Sequence, residues 1–452
     1  MSSAPDSVTS PTLKGLFKVS YPLMLSGATE SIMIFSDRAF LGNYSTQAMN
    51  VAAMTFNVVG TFIFFFMAIA AIAEVLAGQY NGEKRFPLVG RACWQLLWFS
   101  LGTYALFVPL AFWGKPFLVP DILGDRSLYF EAICFAGPLW SVQAVFSGFF
   151  ASTGRAHLLL PVTIAVTTLN LVLDYWFIFG GLGLPAMGAT GAGLATAIAQ
   201  FLNVAVLFVM FLKPAERSKY NTGHPSWFPA ETLTALKIGT PNAFSHSLEV
   251  GAWAFLYWLS SGASVHHLTL LSVVTAFFML FGPINEGLKQ GAQAIASNLI
   301  GKRRFDDVQQ LLMSGIKILV ILAAVSFVVL VWGWRYMILL MGADCADPAL
   351  LDALQVSFAL LWVSLVADGV VWVTVGILTS GGDTRIPMLL NIGCVWCIGV
   401  LPAWIILGWP KAPLYSVSIF ACLYTLCHSL LIFRRYRQGH WRNTLTQHVK
   451  NK

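Results

Sequence analysis

The stretch LFKVSYP, residues 16–22, opens the first long apolar run of the chain, and ALKIGTP, residues 235–241, repeats its pattern 219 positions later. Two more pairs follow in the same order: NGEKRF (81–86) with IGKRRF (300–305), and SGFFASTG (147–154) with VGILTSGG (375–382). Unrelated apolar helices would share hydropathy by chance, but not a proline and a basic loop at the same spacing. The sequence therefore predicts an internal duplication.

Composition places this duplication in a membrane. Of 452 residues, 57% are hydrophobic and only 10% are charged, whereas about 25% are charged in soluble domains. A soluble fold could not cover that much apolar surface, so lipid is the predicted solvent. Runs of roughly 20 apolar residues predict helical spans. They lie at approximately 16–41, 48–77, 90–112, 127–151, 159–181, 187–212, 234–260, 267–298, 309–334, 350–379, 387–408 and 412–434.

Basic residues orient the spans. Most of the 27 lysines and arginines fall in alternate loops and in the tail after Arg434. Because basic loops stay in the cytoplasm during insertion, both termini are predicted to be cytoplasmic. A nucleic-acid partner is not expected, because the charges are spread over separate loops rather than gathered on one face.

Six spans in each half would give corresponding helices the same orientation. The predicted fold is all-α and polytopic, with twelve transmembrane helices in two parallel-repeat six-helix lobes around a central cavity. The predicted divisions are an N-terminal tail (1–15), an N-lobe (16–212), a linker (213–233), a C-lobe (234–434) and a basic tail (435–452).

Acidic residues inside the first six spans predict a binding site, because a charge at bilayer depth is costly and usually faces a cavity. Glu30 and Asp37 lie two helical turns apart and share a face. Asn170 and Asp174 lie one turn apart, and their oxygens suit Na⁺ or a proton. Simpler interpretations stay open: an interfacial ion pair between Asp37 and Arg38, and ordinary interhelical hydrogen bonds from Thr196 and Gln200.

The second half carries its own acids. Glu249 corresponds to Glu30 across the repeat and follows His246 by one turn, whereas Asp368 stands alone in an apolar run. Such carboxyl groups can exchange protons and, once ionised, hold a cationic substrate. Glu286 and Lys289 are predicted to neutralise each other at i, i+3 spacing.

These segments resemble the multidrug and toxic compound extrusion (MATE) family over nearly the whole chain. The resemblance is carried by FSDRAFLG (35–42), GQYNGEKR (78–85), NLVLDYWFIFGGLGLPAMGATGAGLATAIAQ (170–200), SLEVGAWAF (247–255), VADGVVWVTVGIL (366–378) and SGGDTRIP (380–387). The segment 170–200 is the most specific of them. The family exports organic cations in exchange for Na⁺ or H⁺, with two lobes that alternate access.

The resemblance implies roles for particular residues. Asp37, Asn170, Asp174 and Thr196 match the family's N-lobe cation site. Glu249 and Asp368 match the C-lobe acids of its bacterial NorM-type branch, and Glu30 is assigned with them to substrate or proton handling. Arg38 departs from the family pattern, since a neutral residue usually follows the first-helix aspartate, and Glu286 and Lys289 are also unusual.

The predicted function is therefore a secondary active antiporter for amphipathic, cationic small molecules, acting as a monomer in lipid. No metal or cofactor is expected beyond the coupling ion, and the C-x-x-C of Cys394 and Cys397 is interpreted as packing thiols. The alternative is a flippase for a lipid-linked saccharide, although acids outnumber lysines in the predicted spans. An intramembrane enzyme is not expected, because the chain lacks H-E-x-x-H and G-x-S-x-G. His266 and His267, at the start of a span, are expected at the surface.

Overall fold

The computed structural model describes residues 6–118, 128–181, 183–340, 348–409 and 412–442. The ends of both predicted tails (1–5 and 443–452) lie outside the described residues, as do Arg126, Cys345 and Lys411. Within the described ranges the chain is helical, apart from turns, short connections and one isolated bridge between Gly181 and Leu184.

Twelve long helical segments form most of the described part of the chain. They are α1 (Leu13–Tyr44), α2 (Thr46–Gly82), α3 (Phe86–Leu118), α4 (Tyr129–Ser152), α5 (Ala156–Phe179), α6 (Ala189–Phe211), α7 (Pro229–Ala263), α8 (Val265–Gly301), α9 (Phe305–Trp332), α10 (Pro348–Ser380), α11 (Arg385–Leu407) and α12 (Ser416–Arg437).

Ten of these described segments are long and apolar enough to cross a membrane. The other two, α1 and α7, have 32 and 35 residues and are long enough to span, but they are less apolar. They carry Glu30, Asp37 and Glu249. The two spans that are not among these ten are therefore the first helices of the two lobes, where the sequence predicts binding groups.

The duplication is visible in the turns. Ser45 and Ser264, 219 positions apart, both have extended backbone, end the first helix of a lobe and cap the second by accepting an N–H. Lys84 and Arg303, at the same spacing, both adopt left-handed backbone, with φ of 60° and 58°. These matching turns confirm the predicted repeat at the level of the backbone.

The cap at Ser264 also corrects one expectation. His266 is exposed as predicted, but His267 is buried, and its Nδ1 lies 2.8 Å from the Ser264 hydroxyl oxygen. The expectation of a surface position was therefore wrong for His267. The reason is local, because the helix start turns this ring inward against its own cap.

The end of the bundle at which α1 begins and α12 ends is called the termini face. In the half of the bundle beside it, one continuous cluster of buried apolar side chains joins both lobes, including Leu16, Val145, Ala292 and Ile377. Towards the opposite face, the described residues form three separate clusters, one in the N-lobe and two in the C-lobe. Among the described residues, the lobes thus share a packed core only beside the termini face.

Contacts between the lobes follow a pseudo-two-fold axis. Gly27 on α1 packs against Pro283 on α8, and the equivalent pair, Phe64 on α2 and His246 on α7, makes the matching contact. Each residue of one contact lies 219 positions from its counterpart in the other. The lobes therefore meet through equivalent surfaces, as expected for parallel repeats.

The segment between α6 and α7 is held against the N-lobe. It contains a short helix, Pro214–Tyr220, whose Glu216 pairs with Arg155. Arg91 on α3 pairs with Glu231 in the first turn of α7, and its guanidinium lies 3.5 Å from the centre of the Phe228 ring. These contacts fix the path of the chain as it leaves one lobe for the other.

Candidate functional site

A cavity of about 120 Å³ lies within the N-lobe. Apolar side chains such as Phe56 and Met67 line much of it, and α1, α4 and α6 contribute polar groups. Those groups include Glu30, Asp37, Tyr129, Thr196 and Gln200. The two acids of α1 therefore face one cavity, as their two-turn spacing predicts.

Asp37 is central among the polar groups that line the cavity. Its Oδ2 accepts a long hydrogen bond of 3.5 Å from the Thr196 hydroxyl, and its carboxyl group lies beside that of Asp174 on α5. Asp174 and Asn170 are fully buried behind these cavity-lining groups. The structure thus gathers the four residues of the expected cation site from three helices.

Most polar atoms of this cluster have no hydrogen-bond partner of ordinary geometry among the described residues. They are Oδ1 of Asp37, both carboxylate oxygens of Asp174, and the oxygen and nitrogen of the Asn170 amide. Buried polar groups are nearly always satisfied, so a group of orphaned oxygens needs an explanation. Two adjacent carboxyl groups need a proton or a cation between them, and carboxylate and amide oxygens are ligands that a hard cation accepts.

Glu30 belongs to a different part of the cavity. Its Oε1 accepts a 3.0 Å hydrogen bond from the Gln143 amide, and the Gln143 oxygen accepts a 2.7 Å bond from Gln200. This series of hydrogen bonds crosses from α1 through α4 to α6. Glu30 therefore lies in the N-lobe and is not brought together with Glu249 and Asp368, the acids with which the sequence grouped it.

The C-lobe acids form a second cluster. Oε2 of Glu249 on α7 accepts a 3.0 Å hydrogen bond from Asn391 on α11. Oδ2 of Asp368 on α10 accepts a 2.6 Å bond from the indole of Trp372, and the Asp368 and Glu249 charges interact. Tyr424 on α12 lies within the field of both acids. Two carboxyl groups from different helices thus share one polar region.

Glu286 and Lys289 form the predicted ion pair, with 3.3 Å between Nζ and Oε2. The ammonium also lies 4.4 Å from the centre of the Trp372 ring, a cation–π contact. Because Trp372 bonds Asp368 as well, this pair connects to the C-lobe acids.

Several residues of these clusters were missed by sequence reasoning. Gln143, Trp372 and Asn391 bond the predicted acids directly, and Glu74 lies buried in α2. For Glu74 the signal was present, as a lone acid inside an apolar run. For the others the only signal was a polar or indole group in a span, which is common and unspecific. No group of three or more histidines, cysteines or acids stands where it could hold a metal ion in the described ranges.

A bundle of two parallel six-helix repeats, with buried carboxyl groups beside a cavity at membrane depth, has the architecture of a polytopic membrane transporter. The MatE family model matches residues 22–176 and 241–405, one match in each lobe. The chain therefore belongs to the MATE family, whose members are transporters rather than enzymes and bind small-molecule substrates.

Similar proteins agree with this assignment. The chain is 23% identical over 430 residues to a probable multidrug resistance protein NorM of Neisseria meningitidis serogroup B, covering 92% of this chain and 91% of that one. It is 24% identical to a protein of the same name from Pseudomonas putida, with 87% of each chain covered.

Solved structures share the fold. A multidrug resistance MATE family transporter in an outward-facing conformation matches with a TM-score of 0.83 at 17% identity, covering 98% of this chain and all of that one. A MATE protein in complex with MaL6 matches with a TM-score of 0.85 at 17% identity, covering 97% and 99%. This agreement confirms the predicted fold class.

Proposed function

We propose that the protein is a secondary active antiporter of a bacterial inner membrane. It exports amphipathic, cationic small molecules in exchange for Na⁺ or H⁺ by alternating access. The names of its NorM relatives support multidrug export, and acidic groups beside apolar cavity walls suit a cationic, amphipathic ligand. Both termini are proposed to be cytoplasmic, so the termini face is the cytoplasmic face, and the protein is proposed to act as a monomer.

One observation carries this proposal: the orphaned, buried oxygens of Asp37, Asn170 and Asp174 behind a cavity wall. An ion that enters this cluster supplies the missing partners and separates the two carboxylates. We assign cation coupling to these residues together with Thr196, whose hydroxyl already contacts Asp37. Binding couples to transport when the ion binds the two lobe arrangements with different affinity.

Glu249 and Asp368 are proposed to handle substrate or protons in the C-lobe, and Glu30 to contact substrate from the N-lobe. The lobes, 16–212 and 234–434 with the linker 213–233, share a core only beside the termini face. With that face in the cytoplasm, the shared core would close the described arrangement to the cytoplasm. Export would end in this state, with release of the substrate outward.

The test is transport of a fluorescent organic cation in proteoliposomes, with the Na⁺ gradient and the pH gradient imposed separately. We expect one gradient to drive transport in the wild type. Asp174→Asn should abolish the response to that gradient, and Glu249→Gln should reduce transport under either gradient. Glu131→Gln is the control, because Glu131 pairs at 3.8 Å with Lys115 and belongs to neither cluster. Transport that ignores both gradients, or an Asp174→Asn variant that keeps the wild-type response, would contradict the proposal.

A further inference from the structure

Glu74 is a buried acid that neither proposed cluster uses. Its side chain lies on α2 and is 4% exposed. Oε2 accepts a 3.0 Å hydrogen bond from the Gln293 amide on α8, in the other lobe. Oε1 is buried and has no hydrogen-bond partner among the described residues. One buried oxygen of this carboxyl group therefore still needs a proton or a donor.

The Glu74–Gln293 hydrogen bond joins two equivalent positions of the duplicated fold. Glu74 and Gln293 are 219 positions apart, so each occupies the position of the other in the opposite lobe. A contact between equivalent residues lies on the pseudo-two-fold axis that relates the lobes. Glu74 precedes the end of α2 at Gly82 by eight residues, which is ~12 Å of helix.

Other polar contacts surround the axis in related pairs. The Gln79 amide donates to the Ser380 carbonyl oxygen at 2.6 Å, and the Asn298 amide donates to that of Ser152 at 2.8 Å. Gln79 and Asn298 are equivalent in the repeat, as are Ser152 and Ser380. Both bonds join the lobes, so parting the lobes at the termini face breaks them together with the Glu74–Gln293 bond.

The charged groups that act on Glu74 within the described chain are Lys289 and Glu286, both on α8. Lys289 already pairs with Glu286 and lies over the Trp372 ring. On the α4 side, Gly148 packs against the Glu74 backbone. Glu74 therefore has no ion-pair partner of its own in the described chain, and its ionisation state is open to change by a proton.

We propose that the carboxyl group of Glu74 is a further proton-binding site of the transport cycle, sealed when the lobes close at the termini face and wetted when they part. The step is simple: the carboxylate takes a proton from water on the open side and returns it there, without any other bond change. The inference rests on the proposed alternating access. It adds a proton site at the lobe interface to the acids that lie within each lobe.

The competing interpretation is that the Glu74–Gln293 bond only holds the lobes together. One substitution separates this interpretation from the proton site. In Glu74→Gln, the new amide oxygen still accepts from Gln293, so the bond between the lobes is kept while the titratable group is lost. Gln293→Ala does the reverse, because it removes the bond and keeps the acid. The double variant Glu74→Gln with Gln293→Glu moves the acid across the axis and keeps one acid–amide pair.

The experiment measures amide hydrogen exchange in lipid nanodiscs, on either side of neutral pH, in residues 72–82 and 291–301. Exchange is expressed as protection factors, which remove the intrinsic pH dependence of the amide reaction. These segments flank the axis, and their exchange reports opening of the interface. We expect the wild type to open to a different extent at the two pH values. Glu74→Gln should lose most of that difference, and the double variant should recover it. Gln293→Ala should exchange faster at both pH values and keep a pH dependence, whereas Glu131→Gln should match the wild type.

Two results would overturn the inference: a wild type whose protection factors in these segments are equal at the two pH values, or a Glu74→Gln variant whose protection factors keep the full wild-type pH dependence. The measurement needs neither substrate nor gradient. A protein that fails the transport assay but loses its pH-dependent opening in Glu74→Gln would refute the proposed export and support the proton site. A wild type that transports, together with a Glu74→Gln variant that keeps the pH-dependent opening, would support the proposed export and refute the proton site.

Discussion

Two glycines at the termini face offer a direct way to shift the protein between its lobe arrangements. A Cβ atom on Gly82 would overlap the backbone carbonyl of Asn298 in the other lobe. A Cβ on Gly301, the equivalent position, would overlap the carbonyl of Gln79. Both obstacles are backbone atoms in well-packed helices and cannot rotate away. An alanine at either position is therefore expected to act as a wedge between the closed lobes.

The size of the effect follows from the packing. Adding one methyl group to a tightly packed interface costs about 1–3 kcal/mol. The cost falls on the arrangement in which the lobes touch at the termini face, since the methyl group meets no opposing backbone once they part. The opening equilibrium should therefore rise by about 5- to 150-fold. The double variant should rise by less than the product, because both methyl groups relieve strain through the same opening.

Amide hydrogen exchange is the assay, because exchange through an opened interface scales with the opening equilibrium. Residues 74–82 and 293–301 should exchange faster in Gly82→Ala and in Gly301→Ala by the same factor. Gly251→Ala and Gly393→Ala are matched controls, since a Cβ there has no atom within 4 Å. Their exchange in the same segments should be unchanged. The reasoning fails if Gly82→Ala exchanges no faster than Gly251→Ala.

Three further predictions follow from single contacts. At a hundred times its Kd, the coupling ion should stabilise the wild type by about 2.7 kcal/mol and so raise its melting temperature. Asp174→Asn should lose that rise. Thermal unfolding that is equal with and without the ion in both proteins would contradict the N-lobe site. Asn391→Ala removes the 3.0 Å bond to Glu249, which contributes about 1.5–3 kcal/mol to holding that carboxylate. It should weaken binding of the organic cation, measured by titration, with wild-type affinity as the adverse result. Arg435→Ala removes both hydrogen bonds to Asp383, at 2.6 and 3.1 Å, and should lower the melting temperature; Arg435→Lys, which cannot form the same two-bond pair, should fall between the two, and equal melting of all three would contradict the expectation.

Much of the fold could be predicted from local sequence signals. Apolar runs located the spans, and the match of LFKVSYP with ALKIGTP gave the spacing that the capping serines at 45 and 264 reproduce. The spacing of Asp37 from Glu30 correctly placed both on one cavity. These inferences succeeded because hydropathy and helical periodicity are properties of one segment at a time.

The partners of the predicted acids could not be obtained in the same way. The sequence assigned Glu30, Glu249 and Asp368 to one role but gave no partner for Glu30, which bonds Gln143 in its own lobe. Asn391, which bonds Glu249, lies in an ordinary apolar run. Which polar group meets which acid depends on how helices cross and rotate, and no single span records that.

The sequence by itself determined that this protein is a duplicated, membrane-spanning helical bundle with acids in its spans, because burial in lipid imposes long apolar runs and duplication leaves matching turns. Only the tertiary structure decided that Glu249 bonds Asn391, and that the described parts of the lobes share a core beside the termini face alone. It also decided that Glu74 faces its own counterpart, Gln293, across the axis. Contacts between distant helices are settled by packing, which the order of residues along one helix does not reveal.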